Sequence, residues 1–378
     1  MPLDAPLDAY ERQAGLLLDA WRRGDDIALR YFHEHLPRML DDDINWMPKR
    51  LSDEELRLTN FDSDDAKSAI ARGYDFADWP SLAEFVAAIA RRDPAVYEFE
   101  SAVDAVVAGD IGTLAKVLQH SPQLVLSRST RVTHFDPPVH RATLLHYIAA
   151  NGVESYRQKT PPNAVEIARS LLDAGAEVDS LARLYGGECT TLSLLVSSCH
   201  PANAGLQAQL AELLIDYGAS LDDTGKGSWV SPVETALVFG YLDTAEVLAK
   251  RGAPVTTIAA AAGLGRIDEV TSMLPSASTE SRHRALALAA QLGHVEITQI
   301  LLDAGEDPNR FNPPGTHAHT PPIHQAVWAG HLEVVRLLVE RGARLDIRDK
   351  VHDSTPLGWA RYGGKTEIAA FLEQYDAA

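Results

Sequence analysis

One stretch of this chain, TPPIHQAVWAGHLEVVRLLVERGARLD from Thr320 to Asp346, encodes two short helices that are separated and ended by glycine. Thr and Pro favour a helix start, because Thr caps free amides and Pro fits the first turn. Gly330 and Gly342 stand where each helix needs a left-handed residue to stop. The small side chains of Ala326 and Ala329 are expected to let neighbouring helices pack closely. Such a helix pair cannot bury its apolar face alone, so a chain that repeats it builds its core by stacking.

The same order of helix start, glycine and second helix recurs along the chain. The recurring segments are 102–128, 142–152 with 164–179, 190–198 with 210–222, 231–255, 258–275, 285–309, 320–346 and 355–375. Recurrence on this scale predicts an all-α fold of about eight stacked units. The last segment is predicted to be a C-terminal cap.

The unit resembles the ankyrin repeat, whose consensus reads Thr-Pro-Leu-His, then two alanines and Gly-His, and later Leu-Leu and Gly-Ala. The resemblance covers residues 101–378 and implies an ankyrin-repeat solenoid of paired antiparallel helices joined by short hairpins or loops. It also implies recognition of a protein or peptide partner through the concave face and the long loops.

Residues 1–100 depart from the repeat and are predicted to form an N-terminal helical cap region. A helix after Asp64, a turn at Gly73 and a second helix opening at Trp79-Pro80 form its clearest hairpin. The phrase Tyr74-Asp75-Phe76-Ala77-Asp78-Trp79-Pro80 resembles "Tyr-Gly-Phe-x-x-Trp-Pro" of bacterial ankyrin-repeat proteins, with Asp75 in place of the glycine. We expect a cap that covers the first repeat; a DNA-binding helix-turn-helix is the alternative, which the acidic helices disfavour.

The chain is acidic, with a formal net charge of -19. An acidic surface repels phosphate and anionic head groups, so we expect neither nucleic acid nor a membrane as partner. Cys189 and Cys199 lie near the two ends of one predicted helix, too far apart for a disulfide, which predicts free thiols. Because the start MPLDAPLDAY also lacks the features of a signal peptide, we expect a cytoplasmic protein.

Two long loops, 127–141 and 153–164, carry basic and aromatic residues that contrast with the acidic chain. One hypothesis is a small-molecule or catalytic site that holds an acidic group, because long loops concentrate functional residues. The alternative is a solvated loop without a ligand. The candidate residues are Arg131, His134, His140, Tyr156, Arg157 and Lys159.

A second candidate surface follows the end of the first helix in successive units, which in the ankyrin family approaches the concave face. Phe239, Leu264, Trp328 and Tyr362 stand at these positions, and Trp229 precedes one unit. These residues are expected either to form a groove for a peptide or helix, or to fill gaps between the repeats.

Metal binding and catalysis have weaker support. His317 and His319 stand two apart with His324 close behind, but no cysteine or carboxylate cluster completes a metal site. No nucleophile-elbow, zinc-protease, P-loop or dinucleotide motif is present in the sequence. We therefore expect a binding protein without metal or cofactor, and leave open whether the long loops assemble a catalytic site.

Overall fold

The computed structural model describes residues 4–42, 47–222 and 231–376, which form two compact units divided after Leu206. The helices of unit 1 are α1 (Leu7–Arg22), α2 (Asp26–His35), α3 (Asp53–Leu58), α4 (Ser63–Gly73), α5 (Trp79–Ala90), α6 (Pro94–Ala108), α7 (Ile111–His120), α8 (Ala164–Asp173), α9 (Thr191–Leu195) and α10 (Cys199–Asn203). The helices of unit 2 are α11 (Gln207–Asp216), α12 (Pro232–Val238), α13 (Leu242–Lys250), α14 (Ile258–Gly263), α15 (Ile267–Met273), α16 (Thr279–Gln291), α17 (Val295–Asp303), α18 (Pro322–Ala329), α19 (Leu332–Glu340), α20 (Pro356–Tyr362) and α21 (Thr366–Asp376). Short 3₁₀ helices cover Pro37–Met39, Pro122–Leu126, Leu144–Ala149, Ser155–Arg157 and Leu274–Ser276.

The N-terminal part of unit 1 contains the predicted hairpin, α4 and α5. Asp62 and Asp78 cap the two helices by accepting backbone N–H groups. Asp75 has a φ of 62°, the left-handed region that glycine adopts readily, which explains why the resembling phrase has glycine there. Phe32 and Phe61 stack with ring centroids 4.2 Å apart in the core between α1, α2, α4 and α5.

The remaining part of unit 1 is less regular than the repeat predicts. The segment Leu144–Ala149 is a 3₁₀ helix, and it ends at Ala150 with a left-handed φ of 49°. A two-stranded antiparallel sheet, β1 (Ala182–Leu184) and β2 (Gly187–Cys189), precedes α9. Cys189 therefore lies on a strand and Cys199 begins another helix, so the prediction that one helix carries both cysteines is wrong; both thiols are free.

Unit 2 follows the repeat closely. An inner row of helices, α12, α14, α16, α18 and α20, packs side by side, and the outer helices α15, α17, α19 and α21 pack in the same order. The inner helices carry alanine at their contacts, so their backbones approach closely, and Ala261, Ala289 and Ala326 are fully buried. Ala329, predicted to lie in such a contact, is exposed at the end of α18.

Two further predictions concern organisation. Residue 100 lies inside α6 (Pro94–Ala108), and the division between the cap region and the repeats at residues 100 and 101 stays a prediction. Among the residues that the structure describes, no helix is both long and apolar enough to cross a membrane.

Candidate functional site

A cavity of about 860 Å³ opens in unit 2 where the inner helices end. Its walls come from the last turns of α12, α16, α18 and α20 and from the loops that precede α18 and α20. The lining residues are Phe239, Gly240, Leu242, Gln291, Leu292, His317, His319, Gln325, Trp328, Ala329, His331, His352, Ser354, Trp359 and Tyr362.

The repeat explains why these residues share one side. Each inner helix stops at a glycine with positive φ, as at Gly240 (81°), Gly293 (83°) and Gly330 (92°). The residue one or two positions before that glycine therefore recurs at the same place in each repeat. Because the inner helices lie side by side, these recurring positions form a continuous row.

The cavity has a polar floor that joins different repeats. The carbonyl oxygen of Val238 accepts one hydrogen bond from Gln291 Nε2 at 2.8 Å and another from His317 Nε2 at 3.0 Å. Burial lowers the pKa of His317, although its bond to Val238 opposes this. A neutral ring donates the one hydrogen bond that this position needs, so the bond and the lowered pKa agree.

One wall of the cavity is aromatic. The Trp328 ring meets Trp359 edge-on, with centroids 5.8 Å apart and planes at 78°, and lies nearly parallel to Tyr362 at 6.4 Å. Phe239, Trp328 and Tyr362 remain 42%, 49% and 88% exposed. These three rings thus keep surface that nothing in the described part of the chain covers.

Asp349 holds the aromatic wall of the cavity in place through hydrogen bonds. Its Oδ2 accepts hydrogen bonds from Trp359 Nε1 and the Ser354 amide, both at 3.0 Å, and its Oδ1 accepts from the amides of Val351 and His352. Burial of Asp349 raises its pKa, but these hydrogen bonds outweigh burial and lower the pKa to about 2. The carboxylate stays charged and holds both Trp359 and the loop that carries His352.

The structure brings three of the predicted groove residues, Phe239, Trp328 and Tyr362, to this cavity. Leu264 is half-buried and is not among the lining residues, and Trp229 lies outside the described residues. That these residues bind a partner stays a prediction. Sequence reasoning missed Trp359, which a helical spacing of three from Tyr362 indicates. It also missed Asp349, which no motif or spacing in the sequence indicates.

The basic residues of the two long loops come together inside unit 1. Arg131 donates to Tyr156 Oη and to the Tyr74 carbonyl, both at 2.7 Å, and its guanidinium lies 3.9 Å from the centre of the Phe76 ring. Its side chain is fully buried. The Arg131 guanidinium therefore joins the α4–α5 hairpin to the two long loops, 127–141 and 153–164.

Arg157 and His140 complete this buried cluster. Arg157 pairs with Glu100 at 2.6 Å and with Asp104 at 2.7 Å, and its side chain is 3% exposed. His140 accepts the Ala142 amide at Nδ1, so its Nε2 donates to Glu154 Oε1 at 3.3 Å. Although burial raises the pKa of Glu154, the bond from His140 and the two arginine charges lower it overall.

The contacts of these basic residues lie within the chain itself. Arg131, His140 and Arg157 are buried, and they contact the carboxylates of Glu100, Asp104 and Glu154, the Tyr74 carbonyl and the Tyr156 hydroxyl. That these residues bind a ligand stays a prediction. His134 contacts Asp75 at 3.3 Å, and Lys159 is exposed. The cluster therefore gives no support to the small-molecule alternative.

Two of the three histidines considered as metal ligands, His317 in the loop before α18 and His324 in α18, bond to backbone. His317 contacts Val238, and His324 Nε2 donates to the Ser354 carbonyl at 3.1 Å. Within residues 4–42, 47–222 and 231–376, no group of three or more histidine, cysteine or acidic side chains is placed to hold a metal ion.

The stacked helix pairs of unit 2 define a helical repeat protein. The sequence model of the family described as "Ankyrin repeats (3 copies)" matches residues 286–378. The chain is also 31% identical over 120 residues to human (Homo sapiens) Cyclin-dependent kinase inhibitor 2A, covering 30% of this chain and 74% of the relative. The chain belongs to the ankyrin-repeat family.

Two further relatives are larger proteins. Ankyrin repeat and KH domain-containing protein mask-1 of Caenorhabditis elegans is 29% identical over 215 residues, 55% of this chain and 8% of the relative. Ankyrin repeat and SAM domain-containing protein 6 of Mus musculus is 36% identical over 106 residues, 28% of this chain and 12% of the relative. The chain thus spans 8% and 12% of the lengths of these two relatives.

Proposed function

We propose that this chain is a binding module that recognises a protein partner by docking an extended segment of it in the cavity of unit 2. The observation that carries the proposal is the exposure of Phe239, Trp328 and Tyr362 around that one cavity. Exposed apolar surface of this kind, rimmed by polar groups, is typical of interaction sites. Aromatic side chains are also the ones that most often dominate binding energy.

The size of the cavity favours a side-chain anchor. A volume of about 860 Å³ lies in the range of pockets that enclose small ligands, so it has room for an anchoring side chain and its neighbours in a docked segment. Cyclin-dependent kinase inhibitor 2A, whose name states an action on another protein, has matching repeats. That likeness supports protein recognition here without identifying the partner.

Selection from a random peptide display library tests the proposal. Wild-type protein is used as bait, and the selected peptides are measured by calorimetry against a Trp328→Ala/Tyr362→Ala variant. We expect peptides whose Kd rises at least tenfold in this variant but not in Tyr375→Ala, which removes an exposed aromatic residue of the same unit outside the cavity. If no selected peptide depends on the cavity residues, the proposal is wrong.

The cellular setting is part of the same proposal. A cytoplasmic location is supported by the two free cysteines and a bacterial-type chain by the phrase from Tyr74 to Pro80, while the relatives named above come from animals. The net charge of -19 disfavours nucleic acid and anionic membranes as partners.

A further inference from the structure

The cavity of unit 2 combines aromatic walls with an absence of charged lining groups. Of the described residues that line it, four are Phe, Trp or Tyr and four are histidine, and none is Lys, Arg, Asp or Glu. The Asp349 carboxylate lies directly behind the wall, where it accepts the Trp359 Nε1 proton at 3.0 Å. A carboxylate that accepts the indole N–H makes the face of that ring more negative, because the negative charge polarises the N–H bond and shifts electron density into the ring.

Within the described part of the chain, the aromatic faces of the cavity have no cation over them, unlike two other rings of unit 2. The Arg336 guanidinium lies 4.6 Å from the centre of the Phe371 ring, and the Lys350 ammonium lies 4.3 Å from that of Phe311. Among the described residues, no such cation lies over Phe239, Trp328, Trp359 or Tyr362.

From these observations we infer that the cavity binds a cationic side chain, arginine or lysine, of a basic peptide segment held against the Trp328, Trp359 and Tyr362 rings. This inference rests on the proposed function and adds the chemistry of the partner. Ring faces attract cations through their quadrupole. A formal charge of -19 on the chain adds long-range attraction for a basic segment.

Three of the four histidines of the lining do not oppose a cation near neutral pH. Burial lowers the pKa of His317, His319 and His331. These rings are therefore neutral at pH 7.5, the pH at which the test is made.

The test uses two nine-residue peptides of glycine and alanine, one with arginine at its centre and one with citrulline, the neutral isostere. Kd is measured at pH 7.5 and fixed salt from the intrinsic tryptophan fluorescence of the full chain. We expect the arginine peptide to bind wild type at least fivefold more tightly than the citrulline peptide, as one cation–ring contact of about 1 kcal/mol requires.

The control variants separate ring recognition from general attraction to an acidic protein. Trp328→Leu/Tyr362→Leu keeps apolar bulk but removes two rings. In this variant the ratio of the citrulline-peptide Kd to the arginine-peptide Kd should fall close to one. Tyr375→Leu, outside the cavity, should keep the wild-type preference. The inference is overturned if the double variant keeps the wild-type ratio of the two Kd values, or if both peptides bind wild type equally.

Peptides from the display selection distinguish this failure from failure of the proposed function. Cavity-dependent peptides without a basic residue leave the proposed function standing and refute the cationic anchor. Absence of any cavity-dependent peptide refutes the proposed function.

Discussion

At the scale of single residues, the N-cap position before each inner helix shows how one side chain changes a repeat. In the second repeat, Thr143 contacts His146 Nδ1 through its hydroxyl at 2.8 Å and its amide at 3.1 Å. The same position before α18 is Pro321, which has neither a hydroxyl nor an amide proton. His324 Nδ1 is consequently buried without a hydrogen-bond partner.

Restoring the helix cap at residue 321 should stabilise unit 2. We expect Pro321→Thr to have a free energy of unfolding about 1 kcal/mol above that of Pro321→Ala, since a Thr cap is worth roughly that much over Ala. Comparison with the alanine variant cancels the loss of proline rigidity in the unfolded chain. Urea unfolding measures both variants. Equal stability would mean that His324 gains no bond from the new hydroxyl.

The second prediction at the residue scale concerns the stability that Asp349 provides. A folded-state pKa of about 2 against an ordinary value of 3.8 means that the unfolded chain binds its proton first as the pH falls. The stability it provides is fully present above about pH 4, is lost as the pH falls towards 2, and amounts to roughly 2 kcal/mol. Asp349→Asn should lose about that much at pH 7.

Urea unfolding of Asp349→Asn at pH 7 and pH 3 checks this prediction. Wild type should lose more stability between the two pH values than the variant does, because the variant lacks the titrating group. The same pH dependence in both proteins would show that Asp349 is not held as the hydrogen bonds indicate.

At the scale of elements, buried polar contacts join the N-terminal hairpin to the repeats of unit 1. Asp75, between α4 and α5, accepts the Ser155 amide at 2.6 Å and contacts His134 at 3.3 Å. Arg157, two residues after Ser155, reaches Glu100 and Asp104 on α6. The long loops therefore serve as structural connections within unit 1.

Removing one partner of this network should be costly. We expect Arg157→Met to lower the free energy of unfolding by about 3–5 kcal/mol, because it leaves Glu100 buried without its counter-charge and removes one of the two arginine charges near Glu154. Adding Glu100→Met should recover part of this loss, since the second change removes one buried charge. A double-mutant cycle by chemical unfolding measures the coupling. Additive losses would contradict direct pairing.

At the scale of the whole molecule, histidines with lowered pKa values occur in both units and should make both less stable in acid. Burial is the largest cause that lowers the pKa of His35, His146, His283, His317, His319, His324 and His331. The lowered value for His146 is about 4, against an ordinary 6.5. The unfolded chain then binds more protons than the folded chain below about pH 6.5.

We therefore expect the stability of the protein to fall as the pH is lowered from 7.5 to 5. His146 alone contributes up to roughly 3 kcal/mol over the interval between its two pKa values. The urea midpoint at each pH measures the effect, and NMR titration of the histidine rings assigns it to residues. A midpoint that stays constant or rises at pH 5 would contradict the burial argument.

The sequence by itself determined the helix pairs and their ends. Gly330 and Gly342 end helices with φ of 92° and 86° because a glycine stop is a local property of the backbone. The row containing Phe239, Trp328 and Tyr362 followed from the repeat, since equivalent positions of stacked units lie side by side.

Only the tertiary structure decided which groups meet outside the repeat pattern. Arg131 and Glu154, or Asp349 and Trp359, make contacts that no fixed spacing encodes, because loops of irregular length bring them together. Only the tertiary structure also decided which charged groups are buried. From sequence the basic loop residues are expected to be solvated or to bind a ligand, whereas in the fold Arg131, His140 and Arg157 lie beside carboxylates of the chain. Charge in a sequence specifies chemistry, while the fold decides whether water, a ligand or the chain itself satisfies it.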